Sequence, residues 1–236
     1  MSKDAFKFKQ FTIHQDRCAM KVGTDGTLLG AWASAPSGTC RILDIGTGTG
    51  LIALMMAQRF PEAQVVGLDI DGFAVCQAKE NVKASPFNDR ISMVECDISD
   101  YHAEAPFEVI VSNPPFFVSS LECPDSQRTR ARHTSSLTFE TLFRSVSSLL
   151  SDTGRFSLII PSDYRSQLES EAAMVDLFVT RICGVRTTPQ KPVKRYMLEF
   201  RKHPVPQISM EDGVLETAPL IRSEWYQSYV KDFYIK

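Results

Sequence analysis

Asn113-Pro114-Pro115-Phe116 sets a carboxamide, a carbonyl and an aromatic ring side by side, directly after the apolar run Val109-Ile110-Val111. An exocyclic amine conjugated to a ring is a weak nucleophile because its lone pair is delocalised. Accepting hydrogen bonds from its N–H groups localises that pair on nitrogen, and Asn113 Oδ1 and the Pro114 carbonyl can both accept. Pro114 and Pro115 restrict the backbone and remove competing N–H donors, so the carbonyls point in a nearly fixed direction. Phe116 can stack on a planar base, a contact worth about 1–3 kcal/mol in single-strand binding. Phe117 lines the pocket or enters the core.

A second group lies upstream. Asp44-Ile45-Gly46-Thr47-Gly48-Thr49-Gly50 stands where an apolar strand must turn into a helix, and glycines there let a ligand approach the backbone. A glycine triplet alone indicates no more than a tight turn. Here Asp69 ends the next apolar run, Val65-Val66-Gly67-Leu68, and Asp97 follows the one after it, Ile91-Ser92-Met93-Val94-Glu95-Cys96. In a doubly wound sheet the carboxyl ends of the strands are where ligands bind, and an acid after the second strand suits ribose hydroxyls. Each acid singly could be a helix cap; three in register point to a ligand.

The elements that must position these groups follow from periodicity. Apolar runs at 41–45, 64–69, 91–95, 108–112 and 155–160 alternate with helical segments, as expected for βα units and a mostly parallel sheet covered on both faces. Residues 51–57 and 72–84 read as helices, the second capped by Asp71, with Pro61 and Pro86 beyond their ends. In 137–150, Phe139, Leu142, Phe143, Val146 and Leu150 form a helical stripe belonging to the core. Runs at 177–186 and 194–201, joined by the turn-rich 187–192, read as a closing hairpin. Trp225, Tyr229 and Phe233 suit a docked terminal helix. The expected fold is α/β, a Rossmann-like, seven-stranded doubly wound sheet with its last strand antiparallel. A single domain should span 1–236, with an N-terminal extension (about 1–40) and a C-terminal extension (about 203–236) packed on it.

Gly-x-Gly-x-Gly after an acid departs from the dinucleotide fingerprint and resembles the first motif of class I S-adenosylmethionine-dependent methyltransferases. The resemblance implies S-adenosylmethionine as methyl donor, held by Asp44, Gly46, Gly48 and Gly50. It implies Asp69 on the ribose, Asp97 on the adenine amino group, Ile70 or Ile98 against the ring, and Asn113 where donor and acceptor meet. Lys21-Val22-Gly23-Thr24-Asp25-Gly26-Thr27 resembles the segment that closes over the methionine end of the donor in amino-methyltransferases, making Lys21, Thr24 and Asp25 candidates. Asn-Pro-Pro-Phe resembles the catalytic motif of enzymes that methylate adenine N6, cytosine N4 or a glutamine amide, which makes Asn113, Pro114, Pro115 and Phe116 the catalytic candidates. Direct displacement requires no covalent intermediate, so Cys123 is not assigned as a nucleophile.

The formal net charge of −2 excludes an overall electrostatic grip on an anionic polymer and leaves that task to local patches. Basic residues gather at Lys3, Lys7, Lys9, Arg17 and Lys21; at Arg128, Arg130, Arg132 and His133; and at Lys191, Lys194, Arg195, Arg201 and Lys202. The second group, soon after the catalytic tetrapeptide, is the RNA-binding candidate; the third reads as solvated surface. Together with Ala-Arg-His, these motifs resemble bacterial tRNA1(Val) adenine-N6 methyltransferases. The resemblance implies tRNA processing, with methylation of adenosine 37 in the anticodon stem-loop. An unpaired anticodon-loop base is cheaper to turn into a pocket than a duplex base.

Scattered cysteines with no C-x-x-C pair suggest neither a metal site nor a disulfide framework. The lack of a signal-like or membrane-spanning run leads to the expectation of a cytoplasmic protein with no obligate protein partner. A protein glutamine N5-methyltransferase is the alternative, and a non-catalytic RNA-binding module a further one. A nicotinamide dehydrogenase is disfavoured because no catalytic acid–base pair accompanies the glycine loop.

Overall fold

The structure, a computed structural model, describes residues 4–18, 20–115 and 137–235. Parallel strands β3 (Arg41–Ile45), β4 (Gln64–Asp69), β5 (Ile91–Glu95), β6 (Phe107–Ser112) and β7 (Leu150–Pro161) form the centre of the sheet. β3 and β6 are buried nearly end to end and β7 over its C-terminal half, as continuous apolar runs require when helices cover both faces, whereas β5, at the sheet edge, alternates between buried and exposed residues. β8 (Phe178–Arg186) and β9 (Arg195–Arg201) pair as the expected hairpin, and β9 inserts between β7 and β8, antiparallel to both. An eighth strand, β10 (Ser209–Val214), extends the seven expected by pairing parallel to β8, so the order is β10-β8-β9-β7-β6-β3-β4-β5.

α1 (Thr24–Trp32), α2 (Leu51–Arg59) and α3 (Gly72–Lys83) cover one face; α4 (Phe139–Leu149) and α5 (Arg165–Ala173) cover the other. The Asp71 side chain caps α3 by accepting from Phe73 N at 2.9 Å. α4 buries Leu142, Phe143, Val146 and Leu149, with Phe143 against the edges of Phe156 and Phe200.

Both ends of the chain pack on the α1–α3 face. A hairpin of β1 (Ala5–Lys7) and β2 (Thr12–His14) runs beside the C-terminal segment, where Phe8 bridges Tyr234. α6 (Glu224–Val230) lies against β10, with the Trp225 ring filling the space that a side chain at Gly213 would need. Phe233, just past α6, is 2% exposed. The small hairpin β11 (Glu216–Ala218) and β12 (Ile221–Arg222) stands between β10 and α6.

Candidate active site

Strand direction brings the singled-out residues to one sheet edge. Asp44 lies one residue before the end of β3, Asp69 ends β4, Asp97 follows β5 by two residues, and Asn113 directly follows β6. Ser112 fixes this last corner, its hydroxyl donating to the Ile45 carbonyl at 2.9 Å.

The loop after β3 is shaped by its glycines. Gly46 and Gly48 have φ of 70° and 55°, and a Cβ built on either would meet no atom of the described residues beyond its chain neighbours within 4 Å. Among the described residues the space over them is open, and only glycine holds that backbone without strain. The Asp44 side chain lies beneath the loop, fully buried. Its Oδ2 accepts from Thr47 Oγ1 at 2.6 Å and from Ala53 N at 3.1 Å, which ties β3 to α2. Its Oδ1 has no hydrogen-bond partner among the described residues. Burial pushes this carboxyl up to about 7, partly offset by the two hydrogen bonds and reinforced by the negative charge of Asp69.

Asp69 braces the same loop, Oδ2 accepting from Gly48 N at 2.8 Å and Oδ1 from Asp71 N at 3.0 Å. Burial raises its pKa, opposed by those backbone N–H groups. Asp97 accepts from the backbone and hydroxyl of Ser99. Ile70 is 48% exposed, whereas Ile98 is 6% exposed and belongs to the core under α4, so Ile70 offers the larger apolar surface at this edge.

The segment Lys21–Thr27 is neither an isolated turn nor a free flap, because Thr24 and Asp25 open α1. Asp25 Oδ2 meets Arg195 Nε at 2.8 Å, and Lys21 Nζ donates to the Gln15 carbonyl, so both charges brace the elements that carry them. A Cβ on Gly26 would lie 3.9 Å from Asn113 Nδ2 and 3.3 Å from Leu51 Cδ2, which brings the start of α1 against both Asn113 and the start of α2. Met20 lies beside them, its sulfur 3.9 Å from Asn113 Nδ2. Pro114 and Pro115 follow Asn113 directly; Phe116, Phe117, Cys123, Arg128, Arg130, Arg132 and His133 lie outside the described residues.

Sequence reasoning missed the residues that hold the N-terminal strap to this edge. Asn81, fully buried on α3, donates from Nδ2 to the His14 and Thr49 carbonyls and accepts from His14 N, each at 2.9 Å. Gln77, one turn earlier, accepts from Arg17 N at 3.1 Å, and Gln15 accepts from Val22 N at 2.7 Å. The strap therefore crosses the donor side of the site, where Cys18 is pushed up to about 11 by burial and by the nearby charges of Asp69 and Asp71. The available signal was two carboxamides, Gln77 and Asn81, on the same helix face as Val75, Ala78 and Val82.

The chain is similar in sequence and in fold to known methyltransferases. The profile of the Methyltransferase small domain family matches residues 26–181. A tRNA1(Val) (adenine(37)-N6)-methyltransferase of Bacteroides thetaiotaomicron is 48% identical over 236 residues, covering 100% of this chain and 99% of the relative. One from Porphyromonas gingivalis is 52% identical over 209 residues, covering 85% and 82%. The chain belongs to the tRNA1(Val) (adenine(37)-N6)-methyltransferase family. Solved structures share its fold: a predicted O-methyltransferase from Agrobacterium tumefaciens superposes with a TM-score of 0.69 at 19% identity, covering 89% of this chain and 96% of its own. A glycopeptide N-methyltransferase complexed with S-adenosyl-L-methionine gives 0.56 at 13% identity, covering 78% and 100%.

The donor of such a methyltransferase is S-adenosylmethionine, and the residues present fit it. The open space over Gly46 and Gly48 admits a ligand against bare backbone, and the unpartnered Asp44 Oδ1 and the Asp69 carboxylate supply negative charge for a donor bearing a sulfonium and an ammonium group. Among the described residues, no cluster of His, Cys, Asp and Glu is arranged to hold a metal ion, and no helix is long and apolar enough to cross a membrane.

Proposed function

We propose that this chain, acting as one methyltransferase domain in the cytoplasm, transfers a methyl group to N6 of adenosine 37 in the anticodon loop of tRNA1(Val). The observation that carries this reading is the position of Asn113. It follows β6 at the ligand edge, one strand over from the Asp44–Gly50 loop, and abuts the start of α1. Full-length identity to relatives named for this reaction supports the choice of substrate.

In this reading Asp69 takes the ribose hydroxyls, Asp97 the adenine amino group, and Ile70, backed by Ile98, one face of the ring. Asp44 sets the charge beneath the glycine loop, while Lys21, Thr24 and Asp25 hold the strap and α1 at the methionine end. S-adenosylmethionine supplies an electrophilic methyl whose bonding pair leaves with sulfur. Asn113 Oδ1 and the Pro114 carbonyl accept hydrogen bonds from the two N6–H groups, which concentrates the lone pair on nitrogen and aims it at the methyl carbon. A new C–N bond forms, and the excess proton passes from nitrogen to water. Phe116 stacks on the adenine, and Arg128, Arg130, Arg132 and His133 meet the RNA backbone.

Incubation of the purified protein with labelled donor and unmodified tRNA tests this. Asn113→Ala is expected to lower kcat by about 10²-fold or more, the scale of losing one preorganised polar contact in a transition state, with donor affinity nearly unchanged. Wild-type turnover in that variant removes Asn113 from the mechanism. Transfer to a glutamine-bearing polypeptide with none to RNA replaces the proposed substrate.

A further inference from the structure

The late basic run divides in two when folded. β9 is antiparallel to β7, and the register Pro161↔Arg195 places the start of β9 at the ligand edge. Arg201 and Lys202, at its other end, therefore lie at the opposite edge, where Arg201 is bound to the buried Glu199 at 3.0 Å. Lys191, Lys194 and Arg195 lie on the β8–β9 connection or at its junction with β9, on the same edge as Asn113. Contacts link the two: Asn113 abuts the start of α1 at Gly26, and the adjacent Asp25 pairs with Arg195.

Within this connection, Arg195 is paired with Asp25, and Arg186 stands 3.7 Å from Asp212. Lys191 and Lys194 are exposed and have no ion pair among the described residues. Neither Asp163, beside Ser162 whose N–H donates to the Lys194 carbonyl, nor Glu216, whose N–H donates to the Thr187 carbonyl, forms an ion pair with them among the described residues. The frame is stiff: Pro189 and Pro192 restrict the backbone, and Lys191 N donates to the Thr188 carbonyl at 3.1 Å. Lys194 is held on both sides, its N–H donating to Val185 at 2.9 Å and its carbonyl accepting from Ser162 N at 3.1 Å. Two unneutralised ammonium groups on a fixed turn beside the acceptor site suit the phosphates of an RNA strand whose base enters that site.

We propose that the β8–β9 connection, through Lys191 and Lys194, is a phosphate-contacting surface for the tRNA; this rests on the tRNA reading above. Each lysine that contacts a phosphate contributes about 0.7–0.9 to the slope of log K against log salt. The test compares wild type, Lys191→Ala/Lys194→Ala and Lys202→Ala for tRNA affinity across a salt series, for S-adenosylhomocysteine affinity, and for kcat at saturating tRNA. The double variant should flatten the slope by about 1.4–1.8 and raise KM for tRNA, with product affinity and kcat retained; Lys202→Ala should match wild type. An unchanged slope in the double variant, or an equal loss in Lys202→Ala, overturns the surface while leaving the tRNA reading intact. A wild-type protein that neither binds nor methylates tRNA overturns both.

Discussion

Asp44→Asn separates the energetic cost of the donor site from its use. Burial raises the Asp44 carboxyl from 3.8 to about 7, so the folded chain holds this proton more tightly than the unfolded chain does. The sign follows by linkage. Stability from this group is complete below the unfolded value and is lost as pH rises towards the folded one, at about 1.4 kcal/mol per pH unit. Between 3.8 and about 7 the loss amounts to about 4 kcal/mol. An amide oxygen can keep the acceptor role toward Thr47 and Ala53 without a buried charge. The difference in unfolding free energy between variant and wild type, from urea melts of the donor-free proteins at several pH values, should therefore shift in favour of the variant as pH rises from about 4 to 7 and then level off. Calorimetry should show the opposite order for S-adenosylmethionine, which loses an anionic partner in the variant. Parallel stability curves across this range, or equal donor affinity in the two proteins, would refute the assignment of Asp44 as a strained, functional carboxyl.

Other substitutions probe the loop and strap. Gly48→Ala retains a left-handed backbone at a cost of about 1–2 kcal/mol but places its methyl in the open space over the loop, so donor affinity should fall by more than stability does; Gly67→Ala, whose Cβ would lie 2.4 Å from Met93 Sδ, should show the reverse order. Thermal melts and donor titrations on both proteins decide this, and equal donor affinity in Gly48→Ala and wild type would place the donor elsewhere. Asn81→Ala removes three hydrogen bonds between strap, α3 and loop, which should cost about 2–4 kcal/mol in urea melts and weaken donor binding; a loss of stability with unchanged donor affinity would make the strap a brace only.

Legibility followed burial. β3, β4 and β5 stand at the residues expected, and β6 begins one residue earlier, because the inner parallel strands are largely apolar, the edge strand β5 alternates, and acids and glycines mark their ends. α1 was invisible for the opposite reason. Residues 26–32 are all buried, so no polar face marks the helical period, and Gly26 and Gly30 lower its intrinsic propensity. Gly30 is there for packing, since a Cβ would meet Met55 Sδ at 2.8 Å. β10 was missed because an edge strand reading Ser-Met-Glu-Asp-Gly-Val has little β propensity and is held by its pairing with β8 and by Trp225 over Gly213. At the site, the acids and Asn113 were readable because each lies within two residues of the carboxyl end of its strand. Asn81 and Arg195 were not, because each acts on a partner distant in the sequence.

The antiparallel β9 shows why charge runs resist reading from sequence. In a parallel strand, a basic residue after the last apolar position lies at the ligand edge; in β9 the same position lies at the opposite edge, and the residues that precede the strand take its place. Arg195 and Arg201 bracket one strand and so face different surroundings: Arg195 meets Asp25 beside the acceptor corner, while Arg201 meets Glu199. Glu199 is itself fully buried, and its pKa is lowered despite burial by Ser34, Arg201 and Arg181, so the opposite edge spends its arginines on a carboxylate within the fold. A buried charge must be matched locally, and arginines so engaged have fewer donors left for phosphate. In the proposed reading, what makes a basic run an RNA surface is the direction of the strand that carries it and the absence of a buried acid to bind it, and among the described residues of this run the β8–β9 end has both.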